Sequence, residues 1–142
     1  MHSPGATPDP FSPATLGPLA LRNRLIKCAT FEGMTPDALV TDELIDFHRT
    51  HAAGGVAIST VAYCAISPEG RTDRHQIWMR PQAVPGLRRL TDAIHAEGAL
   101  AAAQQVDHKA QKDSRSRFDN THPDVRHEAT SLSAKPPDLK YR

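Results

Sequence analysis

Gly54-Gly55-Val56-Ala57-Ile58-Ser59-Thr60-Val61-Ala62 is the stretch that decides the fold. Its last seven residues form a near-continuous apolar run without the polar alternation of a half-solvated strand. A strand covered on both faces reads this way, and parallel sheets are the ones whose crossovers cover both faces. The two glycines end whatever precedes them in a position suited to positive φ. What precedes them is a helix. Thr41 or Asp42 caps its free amide groups, and Asp42 and Glu43 place negative charge at the positive end of its dipole. Leu44, Ile45, Phe47 and Ala52 give it a broad apolar face.

The same arrangement recurs downstream. Pro68-Glu69-Gly70-Arg71 is a turn, and polar residues extend to Gln76. Pro81 can occupy the first turn of a second helix, with Pro85-Gly86 delaying its regular part. Val84, Leu87, Leu90 and Ile94 fall close to one face, and Gly98 is the stop. Ala99-Leu100-Ala101-Ala102-Ala103-Gln104 then makes a third strand. Upstream, Leu25 and Ile26 lead into Lys27-Cys28-Ala29-Thr30, the first strand, followed by a loop at Met34-Thr35-Pro36-Asp37, where the residue before proline is pushed away from helix. Strand, helix, strand, helix, strand with short glycine-ended returns predicts right-handed βαβ units and a parallel sheet. Ser12-Pro13 and Gly17-Pro18 bracket Ala14-Thr15-Leu16 and Leu19-Ala20-Leu21 as a small ribbon or hairpin.

At 142 residues the chain has room for one ordinary domain. Aromatics make up only 5% of it, so the core must be aliphatic and alanine-built. Lys and Arg number 17 against 16 Asp and Glu, a balance that predicts neither a nucleic-acid groove nor an anionic membrane surface. Residues 1–10 lack a secretory signal and no apolar run approaches the roughly 18 residues of a membrane span, so the expected address is cytoplasmic. Without secretion, Cys28 and Cys64 are expected to be unpaired, buried small hydrophobes or thiols rather than metal ligands. His48 and His51 share a helix, but no carboxylate or Cys at ligand spacing completes a site, and no metal is expected. GxGxxG and GxxxxGK[ST] sequences are absent, leaving no Rossmann or P-loop phosphate site.

Four motifs, in order, carry a resemblance. They are Phe11-Ser12-Pro13-Ala14-Thr15-Leu16-Gly17-Pro18-Leu19 with Leu21-Arg22-Asn23-Arg24-Leu25-Ile26; Thr41-Asp42-Glu43-Leu44-Ile45-Asp46-Phe47-His48 with Ala53-Gly54-Gly55-Val56; Ser67-Pro68-Glu69-Gly70-Arg71; and His95-Ala96-Glu97-Gly98-Ala99. Together they resemble the N-terminal third of the Old Yellow Enzyme family, the NADH:flavin oxidoreductases. The resemblance implies a (β/α)₈ barrel with FMN across the C-terminal mouth of the strands, where barrels hold ligands. It implies NAD(P)H as reductant and an activated alkene as the small-molecule substrate; a homo-oligomer is also compatible with it. Carried over by position, Cys28, Ala29 and Thr30 end the first strand, where the family meets the flavin ring. Phe31 stands where many members have Thr, Cys or His. Ala62 and Tyr63 match the end of the second strand, with Tyr63 bulkier than the small residue usual there. The glutamine that meets the flavin pyrimidine is Gln104 counted from the Ala96-Glu97-Gly98 motif, or Gln105 counted back from His108; Gln104 is preferred.

The match ends there. The family's substrate-binding His pair, its proton-donating Tyr and its phosphate site after strands seven and eight find no counterpart in residues 106–142. The expected organisation is a disordered lead over 1–10, a partial barrel of about three βα units over 11–105 that binds FMN, and an irregular or disordered tail over 106–142. The expected function is an N-terminal fragment of an FMN-dependent oxidoreductase, inactive alone. The alternative is a non-catalytic remnant or interaction module that keeps a βαβ core.

Overall fold

The structure, a computed structural model, describes residues 7–107 and the backbone of 130–133. A hairpin comes first: β1 (Ala14–Leu16) pairs antiparallel with β2 (Leu19–Leu21). The remaining strands form one sheet in the order β3 (Ile26–Lys27), β4 (Ile58–Ala65), β5 (Leu100–Val106), β6 (Thr130–Ser133). β3, β4 and β5 run parallel, with Ile26 opposite Ile58 and Ile58 opposite Leu100. This is the predicted strand–helix–strand–helix–strand order.

Helix α1 (Asp42–Ala53) starts where the capping residues place it. Thr41 Oγ1 accepts the Leu44 amide at 3.2 Å and donates to the Met34 carbonyl at 2.7 Å, so one hydroxyl caps the helix and ties it to the preceding loop. Of the two glycines behind α1, only Gly55 has positive φ, at 103°; Gly54 is helical. A 3₁₀ turn over Pro81–Ala83 opens into helix α2 (Val84–Ala96). Pro85 therefore does not delay the helix. It lies in the first turn, where no amide hydrogen is required. Gly86 is needed for close approach, since a Cβ there would come within 2.8 Å of the Val40 side chain.

Two apolar layers flank the sheet. On one side α1 and α2 deliver Leu44, Ile45, Leu90 and Ile94 onto Val61, Cys64, Ala99 and Ala101. Leu90 and Ile94 are fully buried, and each contributes on the order of 2 kcal/mol by leaving water. On the other side Leu21 of the hairpin packs with Ala57, Ile58 and Ala102, so the hairpin covers the N-terminal ends of the strands. The alanines of β5 are explained by this crowding: a narrow strand lets both layers close in.

The strand bounds need correction, and the first is β3, which ends at Lys27 and not at Thr30. Strand β4 does not stop at Ala62 but continues to Ala65, and β5 runs past Gln104 to Val106, because the two remain paired beyond an irregularity at Ala62-Tyr63. Within the expected irregular tail, Thr130–Ser133 pairs antiparallel with β5, Ala101 facing Ser133 and Gln104 facing Thr130, which satisfies an edge of backbone groups. The expectations for residues 1–6, 108–129 and 134–142 lie outside the described residues. Among the described residues no helix is long and apolar enough to cross a membrane.

Candidate functional site

The C-terminal ends of β3, β4 and β5 bring the predicted residues to one rim. Val61 pairs with Ala103 and Cys64 with Gln105, so Ala62 and Tyr63 stand against the single residue Gln104. That extra residue is a bulge, a device common beside binding sites because it re-aims side chains. Phe31 forms a parallel bridge with Ala62. Phe31, Ala62 and Gln104 thus make one row across three adjacent strand ends.

Strand alternation assigns the faces of the two glutamines. Ala101 lies in the helix-side layer and Ala102 in the opposite one, so Gln104 shares the face of Ala102 and Gln105 that of Ala101. Ala62 follows Val61 of the helix side and lies on the face of Gln104. Both glutamines are half-buried.

The other residues are less uniform. Cys28 and Cys64 are both free thiols, but only Cys64 is buried, and burial pushes its pKa up to about 11. Cys28 is exposed, contrary to expectation, because β3 ends at Lys27 and the chain has already left the sheet. Ala29 is half-buried beside it, Thr30 and Phe31 are exposed, and 42% of the Phe31 surface remains open. Tyr63 is half-buried. Phe31, Glu32, Met34, Ala62 and Tyr63 line a cavity of about 10 Å³, enough for one water-sized group.

Two residues not singled out from the sequence govern this rim. The Lys27 ammonium donates to Glu32 Oε1 at 2.6 Å, Thr30 Oγ1 at 3.1 Å, and the carbonyls of Cys28 at 3.2 Å and Thr60 at 3.3 Å. The two charged side chains are only 9% and 5% exposed. Thr30 Oγ1 donates in turn to Glu32 Oε1 at 2.6 Å, so its hydroxyl is engaged within the protein. The signal was available: a lysine inside an apolar strand needs a partner, because an unpaired buried charge is too costly to keep.

Behind this cluster His48 of α1 is fully buried and shares a 2.8 Å hydrogen bond through Nδ1 with Ser59 Oγ of β4. Burial above all, then the Lys27 charge and, more weakly, His51, push its pKa from the ordinary 6.5 down to about 4, with Glu32 opposing. His48 is therefore a neutral imidazole joining helix to strand.

The model of the NADH:flavin oxidoreductase / NADH oxidase family matches residues 9–135. A 4,4'-dithiodibutanoate disulfide reductase of Rhodococcus erythropolis is 63% identical over 98 residues, which are 69% of this chain and 24% of that protein. A metal reductase of Desulforamulus reducens is 45% identical over 94 residues, 66% of this chain and 14% of that protein. The chain thus spans a quarter or less of the length of these curated relatives. Among solved structures, morphinone reductase in complex with tetrahydroNAD superposes with a TM-score of 0.66 at 24% identity, over 71% of this chain and 28% of that one. That likeness carries the fold: the sheet and its helices are part of a (β/α)₈ barrel.

Proposed function

This chain belongs to the NADH:flavin oxidoreductase / NADH oxidase family, and from that premise we propose that it supplies one wall of an FMN site in an NAD(P)H-dependent oxidoreductase of the ene-reductase type. The row Phe31–Ala62–Gln104 carries this reading. It lies at the C-terminal ends of three parallel strands, where barrel folds hold ligands.

The residues at the rim fit the flavin ring. Ala62 and Ala29 are small enough to let a planar heterocycle lie against the strand ends. Phe31 offers an open apolar surface beside them, and 42% exposure leaves it room to pack. Gln104 is on the face of Ala62, which supports it over Gln105 as the amide that meets the ring's pyrimidine edge. An amide donor there favours negative charge gathering on that edge. Thr30, Cys28 and Ala29 would hold the ring through their backbone, since the Thr30 hydroxyl is already engaged with Glu32. When bound, FMN supplies hydride chemistry, drawing on NAD(P)H and reducing an activated alkene. The task of this chain's own residues is to orient the ring and set its surroundings.

The family's substrate-binding His pair and phosphate site lie on later strands, and we propose that this chain alone does not turn over. A ring-only wall has a specific consequence: it should not distinguish a flavin with a phosphate from one without. Titrating the purified chain into FMN and into riboflavin, followed by flavin fluorescence, tests this. Quenching by both with affinities within about twofold, and no NAD(P)H oxidation, is the expected result. No quenching by either flavin would refute the wall. A strong preference for FMN would show that the chain holds the phosphate after all.

A further inference from the structure

We propose that Lys27 and Glu32 are the positioning pair for the flavin-facing segment Cys28–Phe31, a role that rests on the FMN reading above but has its own structural basis. The segment leaves β3 after Lys27 and rejoins the sheet only through the bridge between Phe31 and Ala62. Between those two points its shape is set from behind by one ammonium. Lys27 Nζ grips the segment at its start through the Cys28 carbonyl, in its middle through Thr30 Oγ1, and at its end through Glu32 Oε1. The same ammonium reaches the Thr60 carbonyl, which fixes the whole clamp to β4.

The direction of Lys27 follows from register. Lys27 stands opposite Ser59, whose hydroxyl meets His48 of α1, so the Lys27 side chain runs on the helix side of the sheet, with the Phe47 ring 5.3 Å from Nζ. The pair therefore does not touch a ligand at the rim from the front. It acts through the backbone it holds. Glu32 also lines the small cavity beside Ala62 and Tyr63, which links the clamp to the second strand end of the site. Its Oε2 is buried and has no partner among the described residues, so the stability of the carboxylate there depends on Oε1 and on Lys27.

A positioning role makes the geometry of four residues depend on two side chains, whereas a merely structural ion pair would affect the domain as a whole. Backbone amide order parameters of the full chain separate the two. In the unmutated chain residues 28–32 should be as rigid as α1, near the value of about 0.85 for ordered backbone; values below about 0.6 would overturn the clamp at once. Removing only Lys27 would strand a buried carboxylate and can unfold the chain, so the neutral double variant Lys27→Met with Glu32→Gln is the test. It should keep the α1 order parameters, lose those of 28–32 to below about 0.6, and bind FMN about tenfold more weakly. A folded double variant with a rigid segment and unchanged FMN affinity overturns the proposal. Should the double variant fail to fold, the ¹⁵N resonance of the Lys27 ammonium in the unmutated chain decides: a shift on adding FMN supports the role, and no shift overturns it. An unmutated chain that takes up no flavin defeats the proposed function instead, and the order parameters then judge the clamp alone.

Discussion

The two ends of the parallel sheet are each organised by one cation, and the two cations do different things. At the N-terminal ends the Arg22 guanidinium donates to the carbonyls of Ala52, Val56 and Glu97, joining the exit of α1, the start of the β4 approach and the exit of α2. Asn23 beside it donates to the Gly55 carbonyl at 2.6 Å and accepts the Leu25 amide at 3.0 Å. A positive charge there faces the negative ends of two helix dipoles. Every Arg22 bond, and the Asn23 bond to Gly55, reaches 30 or more residues along the chain, so this end is a knot. At the C-terminal ends Lys27 instead holds a short loop from behind, while Cys28, Thr30 and Phe31 stay exposed. Barrel folds divide their labour in this way, with stability at the bottom and ligands at the top.

The largest expected effect breaks that contrast, because it acts between the two ends. His48 has a folded-state pKa near 4 against an ordinary 6.5, so the unfolded chain takes up the proton first. Its contribution is complete above pH 6.5, falls as pH drops from 6.5 to 4, and changes no further below that. Urea unfolding across this window should lose roughly 3 kcal/mol, and His48→Gln, which can keep a bond to Ser59, should flatten the slope. Arg22→Ala sharpens the contrast. It removes charge-assisted bonds to three carbonyls at a solvent-accessible edge and should cost about 2 kcal/mol in denaturant unfolding, with the flavin affinity of the folded fraction unchanged.

Smaller effects are expected at the rim. Gln104→Leu should weaken FMN binding about tenfold, the worth of one hydrogen bond to the ring. Gln105→Leu, on the other face of the strand, should change it by less than about twofold. Equal effects from both would contradict the alternation argument for β5.

Much of this plan was legible in the sequence because its signals are local. The Thr41 cap, the Gly54-Gly55 exit, the apolar run into Ala62 and the spacing of Leu87, Leu90 and Ile94 each report on neighbours within a few residues, and the βαβ order follows from them. The hairpin at Gly17-Pro18 was readable for the same reason. What was missed depends on distant partners. Arg22 appeared only as part of a motif, since its acceptors lie 30 to 75 residues away and are backbone carbonyls, which leave no mark in side-chain chemistry. Lys27 was passed over inside a strand, although a charge in that setting calls for a counter-charge and Glu32 lies five residues on. The bulge at Ala62-Tyr63 arises from pairing with β5, and β6 from pairing with the same strand's other edge; neither has a local signature. At the rim, Ala62 and Gln104 lie on paired strand ends, as the apolar run of β4 and the register of β5 require, while the engaged hydroxyl of Thr30 and the exposure of Cys28 depend on the folded loop after β3.

One measurement bears most directly on the claim that the upper strand ends form a flavin wall. FMN added to the ¹⁵N-labelled chain should shift the amide resonances of Cys28 to Phe31, Ala62, Tyr63 and Gln104, and leave those of Arg22, Asn23 and Gly55 in place. Shifts concentrated at the Arg22 end, or none at the rim in the presence of saturating FMN, would contradict it.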